Sequence, residues 1–420
     1  MKLSPKDLVY LDNNATTAVA PEVFEAMKPF LTEFWGNPSS AYRFGSQVHA
    51  GVEEAREKIA ALLGADPKEI IFTSCGTESN NAAINSALEV TGKKKVVTTA
   101  VEHSAIINPC ERLQKKGIEV VFLPVRSDGT LDVAEVAKAV DDRTAVCSVM
   151  WANNETGVIF PVEEIAALCK RRGVLFHTDA VQAISKIPIH LKTNQVDMLS
   201  LVGHKLHAPK GVGALYLRRR TRFAPTLVGG HQERGKRGGT ENVASIVGFG
   251  RACELAGAQM TEKNTRVRAL RDRLENEILA RIPDVYVNGH RDLRLPNTTN
   301  VAFDFVEAEA VLLLLDKADI CASSGSACTT GSLDPSHVLK AMGLTPARAR
   351  GAVRFSLSVD NTDRDVDRVL EILPGIIQRL REISPLHHGH RDNEKYDVEA
   401  ARARFEQEQS HESESEVATA

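Results

Sequence analysis

The chain has 420 residues, 43% hydrophobic and 25% charged, which is enough for two or three domains with substantial cores. Its 52 basic and 55 acidic residues nearly cancel to a net charge of −3, against nucleic acid or an anionic membrane as the main partner. The longest apolar run, Ala310 to Leu315, is far short of a membrane span, and seven cysteines without a C-x-x-C pair read as reduced thiols of a cytoplasmic enzyme.

In chain order, the first 250 residues alternate short apolar runs with helical patterns. Ile70 to Phe72, Val96 to Thr98, Val120 to Phe122, Ala145 to Val149, Val174 to His177 and Met198 to Leu201 each suit a buried strand. Between them lie helix periodicities, such as Val52, Ala55, Ile59 and Leu62-Leu63 on one face. Strand and helix in regular succession predict an α/β fold, a large domain whose mostly parallel sheet is covered by helices. Near residue 250 the pattern changes. Val267, Leu270, Leu274 and Ile278 line a charged helix predicted from Thr261 to Arg281, stopped by Pro283. Short strands follow at 285–287, 300–305 and 353–357, with helices at 308–315 and 364–381, predicting a smaller α+β domain. The expected division is 16–260 for the large domain, 1–15 with 261–386 for the small one, and 387–420 as an acidic, disordered tail. Residues 391–420 hold nine acids against four bases.

Two generic motifs carry little. Gly230 to Lys236 has P-loop spacing, but Arg237 stands where a magnesium-ligating Ser or Thr is required, favouring a flexible Gly-rich loop. His387, His388 and His390 sit in a polar tail and read as a solvated tract. Sharper signals fall at strand ends. Thr73 to Ser79 leaves a strand and opens a helix, and its small residues make a phosphate site at a helix N-terminus. His177 to Gln182 places Asp179 among apolar neighbours, and Ser200 to Lys205 ends the next strand with a lysine. An acid for a protonated ring nitrogen, a lysine for a Schiff base and a phosphate site are what pyridoxal phosphate requires. The residues alone leave a simple buried Asp179–Lys205 ion pair equally open.

The segments Tyr10 to Thr17, Gly36 to Ser40, Glu102 to Ser104, Asn153 to Gly157, Gly203 to Lys205, Arg237 to Asn242 and Ser323 to Cys328 together resemble the cysteine desulfurases of the class-V aminotransferase family. More narrowly, the chain is similar to the NifS-type enzymes that supply sulfur for nitrogenase iron–sulfur clusters. The resemblance runs from about residue 8 to 380 and leaves out the tail. It implies a fold-type I pyridoxal-phosphate enzyme. Lys205 then matches the Schiff-base lysine, which moves the Cα proton once released, and Asp179 the partner of the pyridinium nitrogen. His103 matches the catalytic histidine that stacks on the ring and helps shuttle protons, and Gln182 a hydrogen-bond partner of the ring oxygen. Asn154 is placed beside ring and substrate. Gly76, Thr77, Gly203 and His204 match the cofactor-binding turns, with Thr240 reaching the phosphate from a second subunit, so a homodimer is implied. Many relatives carry a serine at the position of Val202. Arg354 matches the arginine that clamps the substrate carboxylate.

Cys328 is the centre of the implied chemistry. Residues 323–331 are Ser, Gly, Ala, Cys and Thr with little to pack, so a mobile loop presenting a nucleophilic thiolate is expected. Cys147 and Cys169 read as core fillers, while Cys321 and Cys75 are ambiguous. The implied reaction takes sulfur from L-cysteine, leaving L-alanine and a persulfide on Cys328, for delivery to an iron–sulfur scaffold or other acceptor protein. A transient iron–sulfur contact of Cys328 through its persulfide belongs to the same expectation. The alternatives are a selenocysteine lyase or a transaminase, neither of which needs a persulfide thiol, a general housekeeping sulfur donor, and a docking scaffold, which has no need of Lys205.

Overall fold

The computed structural model describes residues 8–324 and 335–384. Cys328, the histidine tract and the acidic tail lie outside them. Strand β1 (Val9–Tyr10) comes first, and seven strands then form the large sheet: β2 (Ile70–Thr73), β3 (Lys95–Thr99), β4 (Glu119–Leu123), β5 (Thr144–Ser148), β6 (Leu175–Asp179), β7 (Met198–Val202) and β8 (Gly213–Leu217). Their order is β2-β8-β7-β6-β5-β3-β4, and β8 alone runs antiparallel to its neighbours. Six of these strands match the expected runs. The seventh, β8, was not foreseen, because Gly213-Ala-Leu-Tyr-Leu lacks the β-branched residues that mark a strand.

Parallel strands buried on both faces need helices as crossovers, and the sequence supplies them. The helix Arg43–Leu63 turns Val52, Ala55, Ile59 and Leu63 into the core and ends on Gly64 at φ 58°, a left-handed cap that suits glycine. Beneath the site, the buried His177 ring bridges three strands, with Nδ1 2.8 Å from Ser148 Oγ and Nε2 2.9 Å from Ser200 Oγ. Burial drives its pKa down to about 3, so this is a neutral strut.

A second sheet joins β9 (Val285–Val287), β10 (Thr298–Phe303) and β12 (Ala352–Ser356) in the order β12-β10-β9, while β11 (Ile320–Cys321) pairs parallel with β1. Val267, Leu270, Leu274 and Ile278 pack here with residues from β1, β10, β12 and the helix Asp363–Ile383, in a hydrophobic cluster apart from that of the large sheet. The helix that carries them is interrupted: a π turn, Lys263–Val267, precedes the regular stretch Arg268–Arg281. The P-loop-like segment precedes no helix that it caps. Instead Glu233, buried and at φ 47°, takes a two-pronged bond from Arg56 (2.7 and 2.9 Å) and the Phe72 N–H at 2.9 Å. That loop is pinned to the core by an ion pair, contrary to the expected flexibility.

Candidate active site

Strands β2, β3, β5, β6 and β7 point the same way, and the residues just past their carboxyl ends converge on one cavity of about 380 Å³. Such an edge is where open α/β sheets bind ligands, since backbone and helix termini there are free of the ladder. The lining includes Gly76, Thr77, His103, Asn154, Asp179, Gln182, His204, Lys205 and Arg354, which brings together most of the residues chosen from sequence. Gly203 begins the turn that carries Lys205, packed so closely that a Cβ would sit 3.0 Å from Ala208 and Val212 side chains. Thr240 is exposed and outside the lining, on the loop that follows Arg237, whose Nε donates to Glu78 Oε1 at 3.0 Å.

Asp179 is 7% exposed, and its two oxygens accept from Asn80 Nδ2 (2.6 Å) and the Val181 N–H (2.9 Å). Lys205 instead donates to the backbone carbonyls of Asn14 and Ala15. The simple Asp179–Lys205 ion pair is therefore not what the fold builds. A carboxylate held by neutral donors at the cavity wall asks for a proton-bearing group in the cavity. The helix Gly76–Thr91 meets the cavity at its N-terminus, and its N-cap Cys75 provides no side-chain bond to the first turn. Those amides are open to an anion. At Gly76 a Cβ would approach Val181 Cγ2 to 3.1 Å, so glycine keeps this end clear. His204 sits beside it with Nδ1 3.2 Å from Thr16 Oγ1, neutral because burial first, and Lys205 and Lys210 next, lower its pKa to about 4. A phosphate at the helix end and a ring nitrogen at Asp179 are thus both provided for, and the residues fit pyridoxal phosphate. Val202 lines the cavity with methyl groups where a serine was wanted.

His103 caps the helix Ser104–Gln114, its Nδ1 accepting the Ala105 N–H at 3.0 Å, which leaves the neutral ring's proton on Nε2. Gln182 Nε2 donates to the Asn14 carbonyl (3.0 Å) and its Oε1 accepts from Lys186 (2.7 Å), so the amide has one orientation. Arg354, 2% exposed in the middle of β12, gives Nη2 to Asp12 (2.7 Å) and Nη1 to the Asn154 carbonyl (2.8 Å). Its Nε has no hydrogen-bond partner among the described residues. The chain on either side of 325–334 is fixed at this site. Ser323 pairs with Arg354 through both backbone bonds, Ser336 donates to the buried Glu155 carboxylate, and His337 Nε2 lies 2.9 Å from the Glu102 carbonyl. Asp12, Asn14, Asn80 and Lys186 carry much of this geometry and were not singled out from sequence. Asn80, one turn along the helix from Gly76, is the one that spacing alone signals. Cys75 proves to line the cavity, while Cys110, Cys147, Cys169 and Cys253 are buried.

The model of the family described as aminotransferase class-V matches residues 9–369. Cysteine desulfurase 2 of Trichormus variabilis is 55% identical over 386 residues, covering 92% of this chain and 97% of that one. Cysteine desulfurase NifS of Azotobacter vinelandii is 56% identical over 383 residues, 91% and 95% of the two chains. Among solved structures, a NifS-like protein superposes with a TM-score of 0.83 at 39% identity, covering 90% of this chain and all of the other. Another, from Rickettsia africae, gives 0.79 at 32%, covering 88% and 99%. With the cavity, its acid, its lysine and its helix N-terminus already in place, these likenesses settle the kinship: the chain belongs to the class-V aminotransferase family, among its pyridoxal-phosphate-dependent cysteine desulfurases.

Proposed function

We propose that this enzyme transfers sulfur from L-cysteine to Cys328 in the cavity at the carboxyl ends of the large sheet. The observation that carries the reading is the convergence of Asp179, Lys205, Arg354 and the Gly76 helix end on that one cavity, with both flanks of the Cys328 segment anchored at its edge. Bound pyridoxal phosphate supplies an electron sink for charge developing on the amino acid's carbons. Asp179 holds a proton at the ring nitrogen, steadied by Asn80 and Val181. Gly76, Thr77, Gly203 and His204 hold the phosphate, the histidine as a neutral donor. Gln182 presents its N–H to the ring oxygen, His103 covers the ring face, and Asn154 borders ring and substrate. Arg354 receives the substrate carboxylate on its guanidinium fork. Lys205 Nζ takes the Cα proton and returns it. The Cys328 thiolate attacks the substrate sulfur. An S–S bond forms, the Cβ–S bond breaks with its electron pair left on Cβ, and a proton there completes L-alanine.

The reading extends to a cytoplasmic homodimer in which Thr240 reaches the partner's phosphate site. The exposed Val228 and Leu227, next to the Thr240 loop, support it, as do Phe24, Leu31, Trp35 and Tyr42. The division into 16–260 and 1–15 with 261–386 is supported by the cluster that joins Val9 and Leu11 to residues between Val267 and Ile377, while Leu295, Ala302, Val338, Leu339, Met342, Ala349 and Ala352 pack with the core of the large sheet. No described helix is long and apolar enough to cross a membrane. The acceptor we assign is an iron–sulfur scaffold protein of nitrogenase maturation, with Cys328 meeting the cluster's iron transiently through its persulfide. The NifS-type wording of Arg237 to Asn242 and Cys328 to Gly331 supports this. The test is direct. The purified protein should be yellow and, given L-cysteine and a thiol reductant, release alanine and sulfide in equal amounts. Cys328→Ala should keep the colour and lose sulfide release. A variant with full turnover would remove Cys328 from the reaction.

A further inference from the structure

Lys205 also borders a second, smaller cavity of about 20 Å³, room for one water-sized or halide-sized particle. Three lysines, Lys186, Lys205 and Lys263, and His207 border it, and no carboxylate is among its lining residues. Lys186 and Lys263 are 6% and 7% exposed. Lys186 donates only to neutral oxygens, Asn14 Oδ1 at 2.9 Å and Gln182 Oε1 at 2.7 Å. The Lys263 amine makes no hydrogen bond or ion pair with any described residue. The acids that bear on it stand outside. Glu262 is engaged by Arg266 at 2.9 Å, and Asp360, 71% exposed, lies 3.7 Å from His207 Nδ1.

The backbone around this point is unusual in three places. Lys263 opens the π turn, a form frequent at functional sites, and Ser185 and His207 border the cavity at φ 69° and 65°. Asn264 in the same turn donates to the Lys186 carbonyl at 3.1 Å, tying the two lysines together. A largely buried ammonium without a protein acceptor is costly, so it loses its proton, gains an anion or keeps what water reaches it. Burial lowers the Lys263 pKa to about 8, which leaves it mostly charged at neutral pH. Lys186 is also held well below the usual lysine range, by burial first and then by Lys205, Lys263 and Arg354. An anion among these groups relieves all of them at once.

We propose that the cavity bounded by Lys186, Lys205, Lys263 and His207 is a binding site for one halide-sized inorganic monoanion. An anion there favours the protonated state of the lysine nitrogen it adjoins. Halide therefore acts on Lys205, which borders both cavities.

The test uses crystals of the holoenzyme grown with bromide in place of chloride, read by anomalous scattering. A second readout is the pH titration of the cofactor's visible band in sodium chloride or bromide against sodium gluconate, at matched, physiological ionic strength. A bromine peak in the cavity is expected, with a saturable upward shift of the band's midpoint in halide of about one unit. Lys263→Met should abolish peak and shift while the protein still binds cofactor. The bromide and gluconate arms on the unmodified enzyme decide the matter if that variant does not fold. Density without anomalous signal, marking a water, overturns the proposal. So does a titration identical in halide and gluconate, which would mark any bromine peak as an adventitious ion only. Either failure leaves the desulfurase reading standing, because that reading is scored by alanine and sulfide.

Discussion

At the scale of single residues, the site works by holding charge where neutral partners cannot cancel it. Arg354 keeps Nη1 and Nη2 occupied by the Asn154 carbonyl and Asp12 and leaves Nε without a described partner. Asp12 stands where a substrate carboxylate would compete for the fork. Lysine has no fork, so Arg354→Lys should raise KM for L-cysteine by about tenfold or more, ~1.4 kcal/mol, with the cofactor spectrum unchanged. An unaltered KM in steady-state assays would take the carboxylate away from this arginine. Glu102 is the opposite case. Complete burial pushes its pKa up to about 8, against the Met150 N–H and Thr99 hydroxyl that favour its charged form. The native state thus keeps a proton that the unfolded chain gives up at ordinary carboxyl pH. Its stabilisation is full below that range and is lost as pH rises through the folded value. Glu102→Gln, which keeps the shape without the titration, should lose fewer degrees of Tm than the parent between about pH 6 and about pH 8. Parallel melting curves for the two proteins would refute this account of Glu102.

At the scale of elements, the sequence exposes what repeats and what bears chemistry. Six strands of the large sheet show as apolar runs, Asp179, Lys205 and the Gly76-Thr77 turn show as chemistry-bearing residues at strand ends, and Arg354 shows only through the family resemblance. Asp12, Asn14 and Lys186 do not show. Their contacts are made only when β1, β12 and the turns that carry Gln182 and Lys186 close around the cavity, and short-range patterning carries no trace of that. The π turn at Lys263 is equally silent, since its hydrophobic spacing from Val267 onward reads as an ordinary helix. The loop at 230–236 misleads in the other direction: its glycines suggest freedom, while Glu233 fastens it to Arg56. Removing one partner of that buried pair leaves the other charge stranded. Glu233→Ala should cost ~3–5 kcal/mol in denaturant unfolding, and Arg56→Met with Glu233→Leu should recover most of it. A loss below about 1 kcal/mol for the single change would mark the pair as dispensable.

At the scale of the whole molecule, the site is shared between two hydrophobic clusters and, in our reading, between two subunits. Val228 is 84% exposed and Leu227 45%, both beside the strand of chain that presents Thr240. Charge placed there should break a subunit contact. Val228→Asp is expected to give a monomer by light scattering and, in the same preparation, to weaken cofactor binding by about tenfold through the loss of the partner's threonine. A monomer with undiminished cofactor affinity would confine the phosphate site to one chain.

The N-terminal segment joins these scales. Asn13 bonds the carbonyl of Ser356, 343 positions away, Val9 pairs with Ile320, and the carbonyls of Asn14 and Ala15 receive Lys205. This segment is therefore not locked in place until residues as far along the chain as Ser356 have folded. The large sheet has all its strands by Leu217 and is free to collapse early, but the floor of the cavity is missing until β12 has emerged. Cofactor loading is thus expected to follow the folding of β12, whose Arg354 completes the cavity wall.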